Sequence, residues 1–146
     1  MVCEHWEMYC VHGWFVLQLN AYGDSDDAKA AANVKQIRKQ LDDLFLGANA
    51  LADVRNSNGM WLLSLAGYQN RPRENARAIE ALLERVGQLL PGSYGILYES
   101  DDERVEPPGR NAFRVRVMTR GTLTEHEDPF LSPIQWIIED PEPPAP

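Results

Sequence analysis

Two helix-period stripes of apolar residues, well separated along the chain and each bracketed by strand-like segments, constrain this sequence more than any other feature. Behind Asp24-Ser25-Asp26-Asp27, residues Ala31, Val34, Ile37, Leu41 and Leu44/Phe45 recur at intervals of three and four. That spacing puts side chains on one face of a helix. Lys29, Lys35, Arg38 and Lys39 fall off the stripe or at its edge, the acids in front offer N-caps, and Gly47 suits the exit. The second stripe is Ala76, Ile79, Leu82/Leu83, Val86 and Leu89/Leu90. Pro72 fits its first turn, where a missing N–H costs nothing, and Pro91-Gly92 ends it. Helices are predicted over 26–46 and 72–90.

The segments between and around them read as strands. Trp14 to Leu19 (WFVLQL) is apolar on both alternating faces for its first four residues, as in a strand covered on both sides at one end. Leu51 to Arg55 is a short strand, Asn56-Ser57-Asn58-Gly59 a hairpin turn, and Trp61 to Ala66 a continuous apolar strand for the sheet interior. Tyr94, Ile96 and Tyr98 alternate on the next strand. A polar loop is expected from Glu99-Ser100-Asp101-Asp102-Glu103 to Pro107-Pro108-Gly109, and then Phe113, Val115 and Val117 alternate with Arg114 and Arg116. The order is β-α-β-β-α-β-β. Hairpins imply a mainly antiparallel sheet, and two helices with one apolar stripe each cover one of its faces, giving an α+β two-layer sandwich.

A length of 146 residues fits one domain able to bury its own core. Residues 1–8 read as an N-terminal extension, 9–140 as the domain and 141–146 as a Pro-rich acidic tail, with Met8 an alternative start. No apolar run approaches the roughly 20 residues of a membrane span, and no secretory signal pattern opens the chain, so a cytoplasmic location is expected.

Charge narrows the partners. The formal net charge is −8, which argues against nucleic acid, whose binding rests on clustered Lys and Arg. The acids are unevenly placed. Residues 91–106 hold five acids and one Arg, giving −4; 121–146 hold six acids and no Lys or Arg, giving −6; 107–120 between them hold four Arg and no acid, giving +4. A basic protein partner fits such a surface.

Chemistry-bearing patterns are sparse. Cys3, His5, Cys10 and His12 spell C-x-H-x4-C-x-H, which matches neither half of the usual zinc spacing, so no metal or other cofactor is expected. The phosphate loop, the dinucleotide fingerprint and the nucleophile elbow have no match. Glu99, Asp101, Asp102 and Glu103 invite a hydrolase reading, yet a run of acids on one loop is ordinarily a solvated face. His126 lies between acids as a solvated loop residue. From the residues alone the chain is a small acidic α+β domain with no catalytic set.

The C-terminal half carries more. PGSYGILYESDDE, then NAFRVRVMTRGTLTEHEDPFLSP, then IIED, together with His12-Gly13-Trp14 and Gly67-Tyr68-Gln69-Asn70-Arg71, resemble the immunity protein 7 family, antidotes of bacterial polymorphic toxin systems. The resemblance spans roughly Tyr9 to Asp140, and Trp136 departs from it, standing where members tend to carry Pro. It implies an α+β immunity protein, not an enzyme, that binds and blocks the C-terminal domain of a cognate toxin, with monomer or weak dimer as the state alone. Gly92 and Gly95 read as backbone-geometry residues, Tyr94 and Tyr98 as core or sheet-face residues, and Phe130 within Asp128–Pro133 as a plug at the sheet edge. Partner specificity then falls to more individual surface residues: the acids Asp101, Asp102, Glu103 and Glu106, the acids Glu125, Glu127 and Asp128, and Tyr22, Tyr68 and Trp136 as anchors. A nuclease toxin, with a basic cleft, would meet the acids as a charge mimic. Two other classes stay open: a regulatory or ligand-binding domain with an apolar cavity, and a hydrolase in which the acids meet His126.

Overall fold

The computed structural model describes residues 9–22, 26–44, 50–69, 72–101 and 113–128. The elements run β1 (Tyr9–Leu17), α1 (Asp27–Leu44), β2 (Ala50–Ser57), β3 (Met60–Gln69), α2 (Pro72–Leu89), β4 (Tyr94–Asp101), β5 (Arg114–Thr119) and β6 (Thr122–Glu127). The expected order is found, with β6 added at its end. The strands form one open antiparallel sheet in the order β2-β3-β1-β4-β5-β6, so β1, first in the chain, lies inside the sheet between β3 and β4.

The stripes behave as their spacing dictates at every described position but one: Ala31 is exposed and Ala30 takes the inward place instead. Ala30, Val34, Ile37 and Leu41 of α1 are buried together with Ile79, Leu82, Leu83, Val86 and the adjoining Leu90 of α2. They pack on one face of the sheet against Val11, Phe15, Leu17, Val54, Leu63, Leu65, Leu97 and Met118. Removing such side chains from water supplies roughly 1.5–3 kcal/mol each, which makes this layer the main source of stability. Asp26 caps α1 by accepting from the Lys29 N–H at 2.9 Å. At the far end of α2, Asn33 donates to the Leu89 carbonyl at 2.8 Å and joins the helices. No helix among the described residues is long and apolar enough to cross a membrane.

Two turns fix the register. Asn58-Gly59 joins β2 to β3 and Arg120-Gly121 joins β5 to β6, with φ of 54° and 80° in the first and 50° and 74° in the second. Positive φ at both central residues is the pattern whose twist suits a two-residue hairpin. Gly92 and Gly95 serve close approach instead. A Cβ on Gly95 would meet the Trp14 carbonyl oxygen and lie 2.6 Å from the Phe15 Cα, and one on Gly92 would meet the backbone of Asn20.

Three local expectations are corrected. β1 starts at Tyr9, not at Trp14, because Tyr9 and Val11 alternate with Cys10 and His12 and carry the core row further back. Trp14 is not covered: it points to the helix-free face and is 44% exposed, although Phe15, Val16 and Leu17 after it are all buried. Glu99 and Asp101, expected to open a loop, end β4 instead.

Candidate functional site

Glu99 is the first departure from an ordinary surface. Its register partners are Val11 and Arg114, so it faces the helix layer, and it is 3% exposed. An isolated carboxylate there would be prohibitively costly. Three donors converge on it. Its Oε1 accepts from Arg116 Nε at 2.6 Å and Arg114 Nε at 3.0 Å, and its Oε2 accepts from the Tyr9 hydroxyl. Arg116, itself buried, also reaches Glu80 of α2 at 3.3 Å, while Arg114 reaches Glu125 of β6 at 3.4 Å.

Electrostatics follow from this packing. Burial, reinforced by the charge of Glu99 and the hydrogen bond to it, pushes the Tyr9 hydroxyl well above the ordinary tyrosine range, so it stays a donor. Burial alone would lower the Arg116 guanidinium, but the Glu99 and Glu80 carboxylates outweigh it and hold the group charged. The basic strand is thus largely consumed by the chain's own acids. Glu99, read with the solvated acids at the sequence level, is instead the hub of a buried network.

The candidate partner-binding residues do not converge on one place. Asp101 ends β4, Glu127 ends β6 and Asp128 follows it, at one end of the sheet; the Asp128 N–H donates to the Phe113 carbonyl at 3.0 Å. Glu125 and Glu127, expected in a turn, lie on β6, in register with Arg116 and Arg114. Tyr22 stands apart, beyond β1 at the opposite end, 93% exposed. Tyr68 lies on β3 in register with Cys10, with its side chain outside the described set. Asp102, Glu103, Glu106 and Trp136 lie outside the described residues, as do Cys3, His5, Met8, Phe130 and the proposed extension and tail.

The helix-free face adds residues that the sequence reading did not single out as anchors. Met60 and Trp14 are each 44% exposed and Tyr94 is 39% exposed. Trp14 and Tyr94 meet edge to face, with centroids 6.5 Å apart. Arg120, on the β5–β6 turn, lies over the Tyr22 ring at 5.8 Å and donates to its hydroxyl at 3.3 Å. The signal was present in the parity of β1: Val11, Phe15 and Leu17 inward require Trp14 outward.

Catalytic convergence is not seen among the described residues. His126 is exposed on β6, with its Nε2 2.9 Å from the Thr124 hydroxyl. By strand alternation it faces away from Glu99, Glu125 and Glu127. No three His, Cys, Asp or Glu among the described residues gather as a metal-binding group.

No curated protein matches the chain. De novo designed protein Foldit4 is similar over 64% of this chain and 97% of its own, at 15% identity and a TM-score of 0.45. The family model for immunity protein 7 matches residues 8–140, nearly the whole chain, and the protein belongs to that family.

Proposed function

We propose that this protein is the antidote to one polymorphic toxin, binding its C-terminal domain one-to-one in the cytoplasm and covering the surface with which the toxin acts. The observation that carries the reading is family membership over residues 8–140. The chain works by occupancy and not by catalysis, and it is a monomer or weak dimer until the toxin arrives.

The charge supports an electrostatic part to the block. Arg114 and Arg116 are engaged by Glu99, Glu80 and Glu125, a cluster of net −1, so −7 of the chain's −8 lies elsewhere. Asp101, Asp102, Glu103 and Glu106, with Glu127 and Asp128, are the acids that steer a basic toxin surface such as a nuclease cleft.

Co-purification with the toxin domain encoded by the neighbouring gene tests the reading. A one-to-one complex is expected, and no association at micromolar concentration contradicts it. Reversing Asp101, Asp102 and Glu103 to Lys is expected to slow association and flatten its salt dependence, because steering is screened beyond about 8 Å at physiological ionic strength. An association rate unchanged by the reversal removes the steering role.

A further inference from the structure

We infer that the toxin is held on the helix-free face, where Trp14, Tyr94 and Met60 seat against an apolar toxin surface, with Tyr22 and Arg120 at the adjoining end of the sheet, Arg120 pairing with a carboxylate at that surface's rim. The inference rests on the antidote reading and adds to it the face that holds the partner and the chemistry that fits it.

Register makes the patch contiguous. Val16 of β1 pairs with Leu62 of β3 on one side and Tyr94 of β4 on the other. Trp14 and Met60 are two residues away from that row, on β1 and β3, and side chains two apart share a face. Val16 is buried at 7%, while Trp14, Met60 and Tyr94 beside it are 39–44% exposed. They are a covered floor with three large apolar residues standing around it. Tyr94 lies opposite Thr119, by extension of the Gly95 to Met118 pairing, and Arg120 follows on the turn with Tyr22 against it. Trp14, Tyr22, Met60 and Tyr94 are the exposed large hydrophobics among the described residues, and all belong to this sector or its rim.

Composition and charge say what fits. Trp, Tyr and Arg are the residue types that dominate binding energy at protein interfaces, and rigid aromatic rings lose little entropy when they seat. Among the described residues the acidic character of the chain is missing here. Asp53, on the same face, is answered by Arg55 at 2.7 Å, and Arg120 brings a positive charge whose partner among the described residues is the neutral Tyr22. The complementary surface is therefore apolar at its centre and negative at its rim. The acids ending β4 and β6 lie at the other end of the sheet, about 17 Å away along β5 at 3.3 Å per residue. Glu127 shares the helix-side face of Arg114, so a toxin whose basic residues reach round that end of the sheet, with a carboxylate on this face, is oriented by the two charges of opposite sign. The acids then govern encounter, and the aromatic patch governs residence.

The test measures association and dissociation rates separately, using the full-length chain and the toxin domain encoded by the neighbouring gene. Trp14→Ser combined with Tyr94→Ser is expected to raise the dissociation rate by about 100-fold while the association rate changes by less than about threefold. Arg120→Asp, which keeps a residue type tolerant of the left-handed turn position, is expected to raise dissociation by about tenfold. The triple Lys reversal shows the opposite pattern. Tyr22→Ala, at a site too exposed to affect folding, is expected to raise dissociation about tenfold and keeps the test decisive if the double variant does not fold. Wild-type chain that fails to bind removes the antidote reading itself. Binding by the wild type with dissociation unchanged in the patch variants overturns the inference and leaves that reading standing. Loss of a homodimer with toxin dissociation unchanged also overturns it, assigning the patch to a second copy of the chain.

Discussion

Replacing Glu99 with Gln keeps the shape of the hub and removes its charge. The carboxylate is 3% exposed and the Arg116 side chain bound to it at 2.6 Å is 6% exposed. Arg116 would then keep only Glu80, at 3.3 Å and 47% side-chain exposure, as a counter-charge. Arg114 is partly open to water and retains Glu125, so its loss is smaller. Gln still offers an oxygen to the guanidinium groups, and its amide can donate to the Tyr9 hydroxyl. The cost is therefore almost entirely one uncompensated buried cation. Breaking a buried pair from one side costs about 3–5 kcal/mol, and the surviving Glu80 contact places this site at the lower end, about 3 kcal/mol. At about 2–4 °C per kcal/mol for a chain near this size, the midpoint falls by about 6–12 °C. Thermal and urea unfolding followed by circular dichroism read it. Arg116→Met in the Glu99→Gln background is expected to cost at least about 1.5 kcal/mol less than in the wild type, since the two side chains are directly coupled. A Glu99→Gln variant within about 0.5 kcal/mol of the wild type, or strict additivity in the double variant, refutes the buried-hub account.

Three further outcomes follow from the same geometry. Tyr9→Phe removes a buried hydrogen bond to a charged acceptor and is expected to cost about 1.5–3 kcal/mol at neutral pH. Because the folded-state pKa of Tyr9 is raised, its contribution is fully present below the unfolded tyrosine value near 10 and is lost as pH rises above it; wild-type stability is expected to fall more steeply above pH 10 than that of Tyr9→Phe, as alkaline urea melts would show. Leu82→Ala is expected to cost about 2–5 kcal/mol, since Leu82 is fully buried between helix and sheet; an unchanged melting midpoint contradicts the helix face assigned to it. Gly95→Ala is expected to destabilise by about 1–3 kcal/mol, because its methyl group would meet the backbone of Trp14 and Phe15 as well as the buried Phe15 ring; a neutral result on denaturant unfolding contradicts the close strand approach.

The helices and the layer order were legible because a 3.6-residue stripe is a global property of many side chains, insensitive to any one of them. β6 was not. Thr122–Glu127 has Leu123 as its one apolar residue, since an edge strand at the margin of the helix layer needs little burial, and its turn is Arg-Gly where Asn-Gly is the familiar signal. Glu99 was misread for a related reason. Acids in a row look solvated, and only the pairing of β4 with β5 shows that two arginines face the first of them. Arg114 and Arg116 were legible as part of a basic segment between two acidic ones, but which acids they take depends on register. The exposure of Trp14 illustrates the limit of an unbroken apolar run: Trp14 to Leu17 reads as covered on both sides, while the structure covers one side and only part of the other.

The most direct test is a titration of toxin activity with this chain, using the purified toxin domain of the neighbouring gene. An antidote acting by occupancy abolishes activity at one molar equivalent, immediately and without turnover, and activity returns when the complex is dissociated. Toxin that stays fully active at excess chain contradicts the account, and so does inactivation that proceeds with time at a small fraction of an equivalent.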